Sequence, residues 1–215
     1  VCSSDLVEVL ALTFTDKAAS EMQQRVDEML PYGFLDTQIM TFHSLAEKLL
    51  REFALDIGLS TEFTLLSDIQ QTIILQEVLN RADFSYFSPQ HDPFDFIDGI
   101  KTAISRLKDE GIDSLAFEKS LKKQMPNVGE DMAAPMQDLA AIYTKYSSLM
   151  QSKNSLDFGD LMIKLQHLLK TRESIRQQIC GRYKYVLVDE FQDTDPLQWQ
   201  IFDLAFHDRL ITVGD

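Results

Sequence analysis

Tyr185-Val186-Leu187-Val188-Asp189-Glu190-Phe191-Gln192-Asp193-Thr194 is the stretch from which the rest of the chain can be read. Four apolar residues in a row predict a short strand buried on both faces, as in the middle of a parallel sheet. The strand runs directly into two adjacent carboxylates. In open α/β sheets ligands bind beyond the carboxyl ends of the strands, so Asp189 and Glu190 are delivered to a ligand-binding edge. Hydrolysis of a nucleoside triphosphate needs such a pair. One carboxylate holds Mg²⁺ through its water shell, and its neighbour orients and deprotonates the attacking water. A core strand ending in solvated acids is the bland alternative.

The continuation Asp195-Pro196-Leu197-Gln198 narrows the choice. Asp195 is a good N-cap and Pro196 suits the first helical position, so a helix is expected over Leu197 to Phe206. Its apolar stripe is Leu197, Ile201 and Leu204, and Trp199 lies off it as a packing residue. The whole string VDEFQDTDPLQ resembles the Walker B segment of UvrD/Rep-type DNA helicases, superfamily-one motors that move along single-stranded DNA. By that resemblance Asp189 serves magnesium, Glu190 activates water and Gln192 senses the γ-phosphate. The implied fold is α/β, a parallel-sheet P-loop NTPase (RecA-like) core with an all-helical inserted subdomain. The implied cofactors are ATP and Mg²⁺, and the implied partners are single-stranded and duplex DNA.

Other segments carry the same resemblance. Residues 7–14 read as a strand, followed by a helix to about Leu30 that is capped by Thr15 or Asp16 and ended by Pro31 and Gly33. Its stripe is Ala18, Ala19, Met22, Val26 and Met29. ALTFTDKAASEM is similar to the family's motif Ia, which usually has Asn where this chain has Asp16. The resemblance puts Phe14 and Thr15 at the strand end that meets single-stranded DNA, with Lys17 as the nearby positive charge. The competing expectation is a plain βα unit with Phe14 in the core. Gln38-Ile39-Met40-Thr41-Phe42 is a second short strand leading into a helix to about Ala54. TFHSLAEKLLRE resembles motif Ib, which implies that Thr41, Phe42 and His43 sit beside the DNA groove.

Between these motifs the pattern becomes helical. Ser67-Asp68-Ile69-Gln70 is a capping box, opening a helix with Ile69, Ile73, Ile74, Val78 and Leu79 as its apolar positions. Further helices are expected at about 94–109, 114–124 and 133–152, and no strand pattern is evident. The family carries a helical subdomain at this point that leans on duplex DNA. Lys101, Arg106, Lys108, Lys119, Lys122 and Lys123 are its basic candidates here, although interleaved acids favour a solvated face. Ser155-Leu156-Asp157-Phe158-Gly159-Asp160-Leu161-Met162 resembles the family's DFDDLL segment with Gly159 in place of an acid, and Asp157 reads as an N-cap. Helices to Leu169 and over Arg172 to Ile179 come next. Leu210-Ile211-Thr212-Val213-Gly214-Asp215 is a last strand, similar to the family's VGD.

The expected organisation is therefore a motor core in two parts, 7–66 and 155–215, around a helical subdomain at 67–154. Residues 1–6 stand apart. Val1-Cys2-Ser3-Ser4-Asp5-Leu6 is what GTG TGC TCT TCC GAT CT plus one base encodes, the end of a common sequencing adaptor, and it reads as a leader foreign to the protein. No GxxxxGK(S/T) phosphate loop occurs in the sequence, so the expectation is that these residues alone hydrolyse no ATP.

Composition bounds the rest. At 215 residues with 45% hydrophobic content the chain is ordinary globular protein. No apolar run approaches the roughly 20 residues that span a bilayer, the first residues given lack the basic, apolar, small-residue order expected of a signal peptide, and Cys2 and Cys180 have no metal-type spacing. A reducing cytoplasm is the expected home, with no membrane partner. The net charge of −14 is spread through the chain with no basic stripe, which weighs against a phosphate-tracking DNA binder. Holding single strands by stacking bases on aromatics depends less on net charge. The alternatives are the helicase part of an AddA/RecB-like helicase–nuclease and a non-catalytic interaction module.

Overall fold

The computed structural model describes residues 8–29, 37–81, 83–87 and 93–214, so the leader, Pro31, Gly33 and Cys2 lie outside the described residues. The chain divides into two compact units, Val1–Thr61 with Lys164–Asp215, and Glu62–Ile163. The fold is mixed α/β, rich in helix, with a parallel sheet.

The first unit is built on four strands: β1 (Val9–Thr13), β2 (Gln38–Thr41), β5 (Tyr185–Val188) and β6 (Leu210–Thr212). Their order is β2-β1-β5-β6, with every neighbouring pair parallel. Parallel neighbours need crossovers, and helices supply them. Helix α1 (Asp16–Met29) links β1 towards β2, and α9 (Pro196–Phe206) links β5 to β6. The strand covered on both faces is β1, where four consecutive residues from Leu10 to Thr13 are buried. In β5 Val186 and Val188 are buried, but Leu187 is only partly covered and Tyr185 is exposed. The doubly buried strand expected at 185–188 is thus its neighbour.

Helix α2 (Phe42–Glu52) buries Phe42, Leu45, Ala46, Leu49 and Leu50, an i, i+3, i+4, i+7, i+8 stripe. Helix α9 buries Leu197, Ile201, Phe202, Ala205 and Phe206, with Leu204 half-buried beside them. Phe42 and Phe202 meet edge to face at 4.3 Å between ring centroids. Helix α1 is shallower than its stripe suggested: Ala18, Ala19, Met22 and Val26 are half-buried, and Met29 is 79% exposed. Helix α8 (Glu173–Arg182) anchors to α2 through Arg182, which pairs with Glu52 and lies over the Phe53 ring.

The second unit is helical, with one short ladder. Helix α3 (Asp68–Asn80) opens with the Ser67/Gln70 capping box. It buries Ile74, Leu75, Val78 and Leu79 and leaves Ile69 and Ile73 exposed, so the buried stripe is rotated from the expected one. Helices α4 (Pro93–Asp109), α5 (Ser114–Gln124) and α6 (Glu130–Ser152) come next. Their core includes Ile97, Ile100, Ile104, Ile142, Tyr143, Tyr146 and Met150. Buried Asp138 on α6 accepts the Tyr86 and Phe87 N–H groups at 2.6 and 3.2 Å, pinning the aromatic loop. Strands β3 (Thr64–Leu65) and β4 (Ser155–Leu156) pair in parallel, one on either side of residues 67–154. Two residues per strand are too few to leave a period-2 signal. The helical unit, Glu62–Ile163, includes this ladder. Helix α7 (Phe158–Thr171) follows β4. Among the described residues no helix is long and apolar enough to cross a membrane.

Candidate functional site

The register of the sheet brings the predicted site residues to one edge. Thr13 of β1 is level with Thr41 of β2, and Leu12 is level with Val188 of β5, which in turn faces Thr212 of β6. All four strands are parallel, so the residues just beyond them leave from the same carboxyl-terminal edge. Those residues are Phe14 and Thr15, Phe42 and His43, Asp189 and Glu190, and Val213 and Gly214. In open α/β sheets ligands bind beyond this edge.

The turn after β5 is tightly held. The Asp189 N–H donates to the Leu12 carbonyl at 3.0 Å, continuing the ladder one residue past the strand. Glu190 then adopts left-handed backbone, φ 53° and ψ 45°, one of two non-glycine residues with positive φ among those described. An L residue there costs about 1–2 kcal/mol. The strained turn points the chain back, and the Glu190 N–H donates to Asp189 Oδ1 at 3.1 Å. A single 3₁₀ turn, Phe191–Asp193, comes next, and Gln192 Nε2 donates to Glu190 Oε2. The Phe191 N–H donates to the Val213 carbonyl at 2.9 Å, and the Val213 N–H to the Val188 carbonyl at 2.8 Å, so the end of β6 clamps the turn. Asp195 caps α9 by accepting the Gln198 N–H at 2.7 Å. Trp199 packs edge-on against Phe191 at 5.7 Å.

At the motif Ia and Ib positions the structure separates surface from core. Phe14 is 48% exposed, which removes the expectation of a core Phe14. Thr15 is the cap of α1: its Oγ1 accepts the Ala18 N–H at 3.1 Å. Lys17 is exposed on the first turn, 3.8 Å from Glu21. Thr41 is buried and caps α2, with Oγ1 accepting the Ser44 N–H at 3.2 Å. Phe42 is 5% exposed and packed on Phe202, so its ring belongs to the core rather than to the exposed surface of the edge. His43 is half-buried in the first turn of α2.

Three of the six basic candidates of the helical unit, Lys101, Lys108 and Lys122, have acidic partners. Lys101 bonds Asp68 at 2.9 Å and Lys122 bonds Glu118 at 2.6 Å. Lys108 is 1% exposed and is corrected from surface to core: its Nζ lies 2.6 Å from Asp157 Oδ2 and 2.7 Å from Asp160 Oδ1. Tyr146 donates its hydroxyl to the same Asp157 oxygen at 3.0 Å. Burial works against the Lys108 ammonium, but Asp160 and Asp157 outweigh it and hold its pKa above the ordinary lysine value. Burial pushes the Asp160 carboxyl up, opposed by Lys108. Asp157 does cap α7, accepting the Asp160 N–H at 2.9 Å through its other oxygen, so the residue has two tasks. This cluster also explains the departure from DFDDLL. A Cβ on Gly159 would stand 2.6 Å from Lys108 Cδ and 2.9 Å from its Cβ, so the lysine stem occupies the space of any side chain.

Asp189 and Glu190 offer the hard carboxylate oxygens that magnesium takes. Among the described residues no three or more His, Cys, Asp and Glu side chains are grouped to hold a metal. Magnesium characteristically uses one or two carboxylates and completes its shell with water and phosphate oxygens, so the edge fits that role. It does not supply the lysine and backbone cradle of a phosphate loop, a motif absent from the sequence.

Comparison with known proteins points the same way. The family model described as UvrD/REP helicase N-terminal domain matches residues 2–215. A protein of Mycoplasma capricolum subsp. capricolum named "Probable DNA helicase II homolog" is 33% identical over 98% of this chain and 28% of its own length. The DNA helicase II of Rickettsia typhi is 32% identical, over 96% of this chain and 30% of its own. The ATP-dependent DNA helicase PcrA of Leuconostoc citreum is 30% identical, over 96% and 26%. The chain thus spans between a quarter and a third of the length of these relatives. With nearly all of its residues inside the family match, and with the motif-bearing strand ends on one sheet edge, the chain belongs to the UvrD/REP helicase family, in the N-terminal domain.

Proposed function

We propose that the chain is part of an ATP-dependent DNA helicase that translocates 3′ to 5′ on single-stranded DNA and separates duplex, in DNA repair, replication or recombination. The observation that carries this reading is the shared carboxyl edge of the sheet. There β5 delivers Asp189 and a strained Glu190, while β1 and β2 deliver Phe14 and His43. In this reading residues 7–66 and 155–215 form the two parts of a RecA-like P-loop motor core and 67–154 its inserted helical subdomain, set against duplex DNA. The protein works in the cytoplasm, where ATP and DNA are both at hand.

Bound Mg·ATP supplies the phosphoanhydride to be cleaved and a cation that offsets charge on its oxygens. Asp189 would hold the metal's water shell through its carboxylate, which is oriented by the Glu190 N–H donating to its Oδ1. Glu190 aims its carboxylate at the attacking water and accepts the proton. Gln192, bonded to Glu190, reports the state of the γ-phosphate to that carboxylate. Phe14 offers an exposed ring for base stacking, worth about 1–3 kcal/mol per base. Lys17 supplies a phosphate contact, while Thr15 and Thr41 hold the two helix starts. His43 lines the same edge, and Phe42 supports it from beneath.

The test is ATP hydrolysis by a full-length form of the protein, with and without single-stranded DNA, and strand separation on substrates with a 3′ or a 5′ overhang. DNA-stimulated hydrolysis and unwinding from the 3′ overhang are expected. Hydrolysis indifferent to DNA would return the chain to the interaction-module reading. The 215 residues alone should hydrolyse no ATP above background.

A further inference from the structure

We infer that Gly214 is a positioning residue: by having no side chain it leaves the space in which Gln192 lies to hold Glu190. The inference deepens the proposed role of Glu190 and rests on it. Gly214 lies just past β6, whose end is tied to the turn after β5 through Val213, bonded on one side to Val188 and on the other to Phe191. This fixes the Gly214 backbone beside the 3₁₀ turn. A Cβ built there would overlap Gln192 Oε1 and stand 3.1 Å from the Phe191 nitrogen. The first partner is the other end of the carboxamide whose Nε2 bonds Glu190. A methyl at 214 therefore displaces the amide as a unit and takes the Glu190 hydrogen bond with it.

The consequence is directional. Glu190 sits in left-handed backbone that an L side chain does not favour, and its neighbours must hold it there. The Asp189 carboxylate holds its N–H and Gln192 holds its Oε2. Through Gly214 the end of β6 controls the second of these. A shift of this strand end towards the turn would push Gln192 off the carboxylate, and a shift away would leave it in place. The tail of β6 and the carboxylate after β5 are thereby coupled through one carboxamide.

The experiment uses the ¹⁵N-labelled 215-residue chain and needs no nucleotide, so it stands or falls separately from the ATPase reading. The Gln192 side-chain amide signal is assigned by its loss in Gln192→Ala. In the parent chain Glu190→Gln should move that signal, and in Gly214→Ala the same change should leave it unmoved. Thermal melts supply the second arm. Gly214→Ala should lower the melting temperature by about 2–8 °C when Gln192 is present, and by less than roughly half as much in Gln192→Ala, where only the approach to the Phe191 nitrogen remains. Should Gly214→Ala alone fail to fold, folding of the double variant supports the inference and its failure overturns it. An equal fall in both backgrounds also overturns it, as does a Gln192 amide that still responds to Glu190→Gln in the Gly214→Ala chain.

Discussion

Glu190 and Phe14 show how differently single residues declare themselves. The carboxylate pair is visible in the sequence as two acids at the end of an apolar run, and it is the continuation to Gln198 that narrows how they are read. The left-handed backbone of Glu190 is not legible, since nothing in the residue type favours it. Phe14 and Phe42 are the same residue type, each one position past a strand, yet Phe14 is exposed and Phe42 is packed on Phe202. The difference is set by where the next helix begins. Helix α2 starts at Phe42 itself, so that ring falls on the helix's buried stripe, whereas Phe14 precedes the cap of α1. Paired variants separate the two roles. Phe14→Ala should weaken single-strand binding by about 1–3 kcal/mol and leave the melting temperature nearly unchanged. Phe42→Ala should cost about 3–5 kcal/mol of stability by opening a cavity. Titrations and melts on both variants check this, and loss of stability in Phe14→Ala with unchanged affinity would count against the surface role.

Among the elements, α4 and α7 carry the least expected feature. Lys108 continues the spacing of Ile97, Ile100 and Ile104, so it falls on the buried face of α4. A lysine in phase with an apolar stripe, with Asp157 and Asp160 elsewhere to receive it, is the signal that distinguishes it from the basic surface residues around it. Removing one member of a buried ion cluster leaves the others uncompensated, so Lys108→Met should lose about 3–5 kcal/mol near neutral pH. The pH dependence has a definite sign. Burial already raises the Asp160 pKa, and Lys108 is what opposes it. Without the cation the carboxyl rises further, and a group whose folded pKa is raised contributes stability that is lost as pH rises through that value. The deficit of Lys108→Met should therefore shrink on acidification into the carboxylate range, as melts across pH would show. A deficit constant with pH would mean that lost packing, not charge, is responsible. Helix α3 teaches a related lesson: its capping box fixes its start, but the side that tertiary packing buries, with Leu75 inside and Ile69 outside, is not decided by the positions of its isoleucines.

For the molecule as a whole, strand and helix signals alternate at both ends of the sequence, with helical patterns between, and this makes the α/β character and the helical middle legible. The two-residue ladder of β3 and β4 is not, because it is created by pairing and leaves no local pattern. The net charge of −14 also has a structural reading, since several lysines of the helical unit are already neutralised by acids within it. In the proposed motor, a single strand is then held by the sheet edge and its aromatic ring more than by a basic field. This edge hydrolyses nucleotide in the proposed motor, with Glu190 as the group that activates water. Single-turnover ATP hydrolysis by a full-length form, compared between the parent and Glu190→Gln, tests it most directly. Nucleotide and DNA binding should be retained and hydrolysis slowed by about three orders of magnitude or more, because the interaction acts mainly in the transition state. Turnover at the parent rate in Glu190→Gln would contradict it.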